Sequence, residues 1–258
     1  MLRQSDLIKK TISFFLLAFF FSMLFCRISI YLTNDHRINV LAYSFGVPFA
    51  ILLLKGYKYL KFENIREQKK WLLMAFTGPF IYAGILYLLG KYFFPYPPDP
   101  LNQNSTFVLG TILILFSVIF EEIGWRGYLY KFFTAEGWFK MNLSISVLWT
   151  VWHLPAIFYG GFTVPTPLPL GMTLFFVNLT LASFILGWIR QKTGGVLSPA
   201  LVHAGNNIAM MLLGVSGPLL SECGIFFTIF LIGFILFTKA WKTPTLFQFS
   251  VIKEKYLS

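Results

Sequence analysis

The chain has 258 residues, a formal net charge of +11, 57% hydrophobic residues and only 12% charged residues. A soluble domain carries about twice that share of charged residues, so this composition excludes a water-soluble fold. Several apolar stretches also exceed the roughly 18 residues that cross a hydrocarbon layer about 30 Å thick. The sequence therefore predicts an all-α, polytopic transmembrane helical bundle that forms one integral-membrane domain over residues 1–258.

Hydropathy predicts eight spans along the chain. The first apolar run follows a short basic N-terminus, but no small-residue cleavage site comes after it, so we interpret it as a transmembrane helix and not as a signal peptide. The approximate limits of the eight spans are 11–32, 38–60, 71–94, 105–130, 141–160, 170–190, 196–215 and 218–238.

The basic residues segregate to one set of connections. All Lys and Arg except Arg27, Arg37 and Lys91 fall at the two termini or after the second, fourth and sixth spans. Basic residues accumulate on the cytoplasmic side of short loops, so we expect both termini to be cytoplasmic. This distribution indicates that the excess of basic residues reflects insertion in a lipid bilayer and not nucleic-acid binding. We expect a multi-pass protein of a prokaryotic plasma membrane.

The two cysteines, Cys26 and Cys223, are too few for a disulfide framework or a CxxC metal site. Both lie in apolar segments, which favours buried thiols.

Ionisable residues within spans are costly unless they are paired or hydrated, so they indicate where function lies. The fourth span contains Glu121, Glu122 and Arg126 within about one and a half helical turns. Glu122 and Arg126 are four residues apart and can form an ion pair, whereas Glu121 points about 100° away around the helix. The alternative interpretation is a helix end whose charges lie among lipid head groups.

The fifth and seventh spans add further polar groups. Trp149 and His153 share one helix face, as do His203 and Asn207. Pro155 predicts a kink directly after His153, which would free backbone groups in a polar or wet pocket. The alternative is that each histidine is a hydrogen-bonded packing residue.

The helical rise places Glu121, His153 and His203 in the cytoplasmic half of the membrane. A carboxylate, two imidazoles and an amide in one partly dry cavity can deprotonate a water and stabilise the oxyanion formed when that water attacks a carbonyl. Hydrolysis of an amide is the reaction that these groups indicate.

Three motifs give the chain a resemblance to a known family. Glu121, Glu122 and Arg126 match a Glu-Glu-x-x-x-Arg motif, His153 matches a Phe-x-x-x-His motif with Trp149 in place of Phe, and His203 with Asn207 matches a His-x-x-x-Asn motif. Together they resemble the CAAX prenyl endopeptidase and bacteriocin-processing group of intramembrane proteases, also called the Abi family. The resemblance covers residues 105–215, which would contain the catalytic helices.

The resemblance implies a role for each motif residue. Glu121 would act as general base on the attacking water, which His153 would help to position. His203 and Asn207 would stabilise the oxyanion, and Glu122, Arg126 and Trp149 would support the site. Glu121, His153 and His203 are also a plausible zinc set, but HExxH is absent from the sequence and Asn207 would be an unusual ligand. A metal-free glutamate mechanism is favoured, with zinc as the alternative.

The implied substrate is a peptide or protein, either lipidated or membrane-embedded. Asp6, Asp35 and Asp99 all lie outside the predicted spans, which excludes a membrane aspartyl dyad, and no Gly-x-Ser-x-Gly nucleophile motif occurs.

Two other functions stay open. The first is a non-catalytic scaffold or bacteriocin-immunity protein of the same fold. The second is a proton-coupled transporter, for which the sequence shows no repeated halves.

Overall fold

A computed structural model describes residues 4–33, 35–59, 65–93, 105–132, 138–158, 168–212 and 218–242. In these ranges the chain forms helices and turns without strands, which confirms the predicted all-α class. The helices are α1 (Gln4–Leu32), α2 (His36–Ser44), α3 (Gly46–Leu53), α4 (Ile65–Phe93), α5 (Ser105–Glu122), α6 (Tyr130–Phe132), α7 (Trp138–Trp152), α8 (Leu154–Phe158), α9 (Leu168–Thr193), α10 (Leu197–Leu212) and α11 (Pro218–Thr238).

Four of the described helices are long and apolar enough to cross a membrane, which indicates a membrane protein. Their apolar segments are Ile8–Leu32, Lys69–Leu89, Val108–Leu129 and Leu170–Thr193. Ile38–Leu53 and Thr228–Thr238 are shorter apolar segments. The eight predicted spans therefore correspond to helices of very different length, and the number of crossings stays a prediction.

The predicted second span is not one continuous helix. It consists of α2, α3 and a 3₁₀ turn at Gly56–Tyr59. Pro48 lies in the first turn of α3 and has no backbone N–H to donate to the Ser44 carbonyl, so the α-helical ladder is interrupted where α2 ends. The break leaves Ser44 as the last residue of α2.

The predicted interruption of the fifth span is confirmed. Helix α7 ends at Trp152, His153 forms a turn, and α8 begins at Leu154. The His153 amide donates to the Thr150 carbonyl three residues back (3.1 Å), because Pro155 cannot continue the regular pattern.

A π-helical segment, Ile123–Leu129, continues α5 and is buried from Gly124 to Leu129. Single π-helical turns inside α-helices are frequent at functional sites. Gly124 allows this segment to approach α1 and α3 closely, since a β-carbon there would meet the side chains of Phe14 and Val47.

The main hydrophobic core joins α1, α2, α3, the π-helical segment, α7 and α9. It includes Phe14, Val47, Trp125 and Trp152, each with at most 1% of its surface exposed. Helix α4 packs against α10, and α9 against α11. Cys26 is a buried free thiol, as predicted, whereas the side chain of Cys223 lies outside the described part of the chain.

Candidate active site

The polar residues singled out in the sequence converge from three elements. The end of α5 and the following π-helical segment supply Glu121, Glu122 and Arg126, the break after α7 supplies His153, and α10 supplies His203. All of these side chains except His203 are buried, and His203 is only slightly more accessible. The sequence could not give these distances, because the three elements are up to 82 residues apart along the chain (Glu121 to His203).

Glu121 is held through both of its carboxylate oxygens. Oε1 accepts a hydrogen bond from Ser44 Oγ (3.2 Å), and Oε2 accepts one from the indole Nε1 of Trp149 (3.1 Å). The same Oε2 lies 3.8 Å from Nε2 of His153. The carboxylate is therefore fixed between α2 on one side and α7 on the other.

Trp149 contacts both histidines of the site as well as Glu121 and Arg126. Its ring lies edge-to-face with His153 (centroids 4.6 Å apart) and His203 (5.3 Å), and the Arg126 guanidinium lies 4.9 Å from a Trp149 ring centroid. The indole also donates to Glu121. A phenylalanine, the residue of the resembled motif, would keep the packing but could not make this hydrogen bond.

The orientation of His153 is fixed by the backbone. Its Nδ1 lies 2.7 Å from the carbonyl oxygen of Trp149, which can only accept, so Nδ1 carries the proton. In the neutral ring Nε2 is then the acceptor, and it faces another acceptor, Oε2 of Glu121. A donor that lies between these two atoms could bind both of them.

Glu122 forms the centre of a second buried group. Its Oε1 accepts from Arg126 Nη1 (3.1 Å), the ion pair predicted from the four-residue spacing, and from Nδ1 of His203 (3.0 Å). Arg126 Nη2 donates to the hydroxyl and the carbonyl of Ser183 on α9 (2.6 and 3.1 Å). Glu122 thus links Arg126 to α10, a contact that the sequence did not predict.

A cavity of about 900 Å³ reaches the site. Glu121, Trp149, His153, His203 and Asn207 all line it. Most of the other lining residues are apolar and belong to α4, α9, α10 and α11. Asn207 Oδ1 is 3.4 Å from Nδ2 of Asn206, so the Asn207 amide nitrogen is the donor left for a ligand in the cavity.

Three serines that contact this site were missed by the sequence reasoning. Ser44 and Ser117 lie beside Glu121, and Ser183 binds Arg126. Serine is common in membrane helices, and nothing in the spacing of Ser44 or Ser183 marks them. The one available signal was that Ser117 precedes Glu121 by four residues and so shares its helix face.

The residues present fit a metal ion only in part. Glu121 and His153 are close enough to flank an ion, and Nε2 is the one ring nitrogen of His203 left for it, since Nδ1 contacts Glu122. In the described ranges, His, Cys, Asp and Glu side chains do not gather in groups of three or more with the arrangement of a metal site. A zinc ion would polarise a bound water if Glu121 and His153 held it.

Comparisons with known proteins agree with the motifs. The sequence model of the family described as type II CAAX prenyl endopeptidase Rce1-like matches residues 103–209. A curated relative, CAAX prenyl protease 2 of Methanococcus maripaludis, is 27% identical over 133 residues, which cover 49% of this chain and 49% of the relative. The match thus spans about half the length of that relative. The resemblance to the CAAX prenyl endopeptidase family indicated by the three motifs is confirmed over residues 103–209.

Proposed function

We propose that the chain is an intramembrane endopeptidase in which Glu121, as a carboxylate, activates a water for attack on a peptide bond. The observation that carries the proposal is the facing pair of acceptors, Oε2 of Glu121 and Nε2 of His153, 3.8 Å apart in the wall of a cavity. The match to the CAAX prenyl endopeptidase family supports a protease.

The pair is suited to bind one water. A water about 2.8 Å from both atoms would make an angle of roughly 85° with them and would donate one hydrogen to each. Its lone pairs would then be directed away from both acceptors, where a carbonyl carbon could approach. As the oxygen bonds to that carbon, Glu121 takes one proton; the C–N bond breaks when that proton passes to the leaving amine.

We propose that His203 and Asn207 donate hydrogen bonds to the oxyanion that forms when the water attacks the carbonyl. Since Nδ1 of His203 already donates to Glu122, Nε2 can donate to a substrate oxygen only if the ring is an imidazolium. The Glu122 carboxylate provides the negative charge beside it. The amide nitrogen of Asn207 would be the second donor, one helical turn further along α10.

We propose a peptide or protein substrate, lipidated or membrane-embedded, that reaches the site in the cytoplasmic half of a prokaryotic plasma membrane. The apolar lining of the cavity supports this choice, because an apolar chain beside the scissile bond would be buried there. The basic residues at both termini support the cytoplasmic side.

The test uses full-length protein in phospholipid vesicles with two internally quenched peptides. Both end in a Cys-aliphatic-aliphatic-X sequence, and one of them carries a farnesyl group on the cysteine. We expect cleavage by the wild-type protein and none above background by Glu121→Gln or His203→Ala. Asp6→Asn makes the same carboxylate-to-amide change in the first turn of α1 and should leave the rate unchanged.

A second experiment compares cells that express the wild-type protein with cells that express Glu121→Gln. Mass spectrometry of their peptides should show an uncut precursor that accumulates only with Glu121→Gln and identifies the natural substrate. Wild-type cleavage rates in purified Glu121→Gln would overturn the assignment of the base. A cellular phenotype that survives both Glu121→Ala and His203→Ala, without any precursor, would instead support a non-catalytic scaffold.

A further inference from the structure

Two buried serines form a hydrogen-bonded chain that ends on Glu121. Ser117 Oγ and Ser44 Oγ are 2.6 Å apart, and Ser44 Oγ is 3.2 Å from Oε1 of Glu121. Ser44 is 1% exposed and Ser117 is 5% exposed. Because a carboxylate only accepts, the consistent direction is from Ser117 to Ser44 and from Ser44 to Glu121.

We propose that Ser44 is a positioning residue for Glu121, with Ser117 acting through it. This inference rests on the proposed endopeptidase function. Ser44 fixes Oε1, and Trp149 donates to Oε2, so the carboxylate cannot rotate away from His153 without losing a hydrogen bond. Oε2 therefore stays where it can bind the water.

The fold holds Ser44 in place through its neighbours. Ser44 ends α2, and the preceding residue, Tyr43, donates its hydroxyl to the Trp152 carbonyl and packs its ring on Trp152 (centroids 4.6 Å apart). Trp152 lies one residue before His153, at the end of α7. The C-terminal end of α2 therefore has two contacts in the site. Tyr43 contacts the end of α7, which positions His153, and Ser44 contacts the Glu121 carboxylate, which faces His153.

Ser44 also has a second acceptor, the carbonyl oxygen of Val40, at 3.2 Å. When Oε2 of Glu121 has taken the proton from the water, Oε1 is the carbonyl oxygen of the carboxyl group and still accepts the hydrogen bond from Ser44. The Ser44 hydroxyl can therefore hold Oε1 before and after proton transfer.

Ser44 acts on the carboxylate and not on the substrate. Among the described residues that line the cavity, Ser117, Glu121 and His153 are present but Ser44 is not. Its loss should therefore lower kcat while KM stays unchanged. A residue that merely maintained the fold would change the amount of active protein and the melting temperature together.

The experiment measures kcat, KM and melting temperature for Ser44→Ala and Ser44→Cys with the peptide that the wild-type protein cleaves. Cysteine keeps the shape of serine but is a weak donor, so folding is preserved while the hydrogen bond is weakened. We expect kcat to fall about tenfold or more in both variants, as for a lost hydrogen bond to a charged group, with KM within about twofold. The matched control is Ser146→Ala, a buried serine on α7 whose hydroxyl donates to the Asn142 carbonyl (2.8 Å).

Ser117→Ala should lower kcat less than Ser44→Ala, and the double variant should be no worse than Ser44→Ala, because both act through one chain. If Ser44→Ala or Ser44→Cys keeps the wild-type kcat while Glu121→Gln is inactive, the positioning role of Ser44 is overturned and the endopeptidase assignment is not. A loss in Ser44→Ala matched by an equal loss in Ser146→Ala would also overturn the positioning role. Full activity in Glu121→Gln would overturn the endopeptidase assignment itself.

Discussion

Glu121 and Glu122 are consecutive in the chain, yet their carboxylates face different partners. Glu121 contacts Ser44 and Trp149, whereas Glu122 contacts Arg126 and His203. The 100° step between neighbouring helical residues separates the two side chains, so one carboxylate borders the cavity while the other is 0% exposed. This separation lets two like charges on one helix end serve different purposes.

Glu122→Gln should lower both stability and activity. Arg126 would keep a buried charge without its ion partner, which typically costs about 3–5 kcal/mol. We expect the free energy of unfolding, measured in mixed micelles of increasing SDS content, to fall by about that amount. Adding Arg126→Met should recover part of the stability but not the activity, since His203 would still lack its carboxylate. Equal stability of Glu122→Gln and wild type would contradict a structural role for the pair.

Trp149→Phe should lower kcat about tenfold or more while the protein stays folded. The substitution keeps an aromatic ring between the two histidines but removes the hydrogen bond to Glu121 Oε2. Trp125→Phe is the matched control, because the Trp125 indole nitrogen is buried and has no hydrogen-bond partner within the described residues. A similar loss of kcat in both variants would show that ring size, and not the hydrogen bond, matters at Trp149.

Activity should persist without zinc. Since the His, Cys, Asp and Glu side chains of the described residues do not form a group of three or more that could hold a metal ion, we expect purified active protein to contain far less than one zinc per chain by elemental analysis. Dialysis against a chelator should leave cleavage of the quenched peptide unchanged, with a zinc metalloprotease as the positive control for the chelator. Stoichiometric zinc that is lost together with activity would reverse this expectation.

Both chain ends should lie in the cytoplasm. Single cysteines at Ser5 and Lys242, introduced after replacing Cys26 and Cys223 with alanine, should react with a membrane-impermeant thiol reagent only after cells are opened. Thr33→Cys, exposed at the end of α1, should react in intact cells because it lies across the membrane from Ser5. Labelling of Ser5→Cys in intact cells would reverse the topology and move the proposed site to the outer half.

The sequence by itself determined the fold class and singled out Glu121, His153 and His203, the one carboxylate and the two histidines among the described residues of the cavity wall. Apolar runs define membrane helices because the bilayer allows few charges, and the same cost makes Glu121, Glu122, His153 and His203 conspicuous. The pairing of Glu122 with Arg126 and the helix break before Pro155 followed from local geometry, since both depend on residues a few positions apart.

Tertiary structure alone decided which of these groups meet. The contact of His203 with Glu122, the acceptor pair of Glu121 and His153, and the serine chain through Ser44 join residues that are 81, 32 and 77 positions apart. Such contacts depend on how α2, α5, α7 and α10 pack. Hydropathy carries little information about that packing, because most residues on these helices are apolar. A buried serine becomes recognisable as part of a site only when the carboxylate beside it is known.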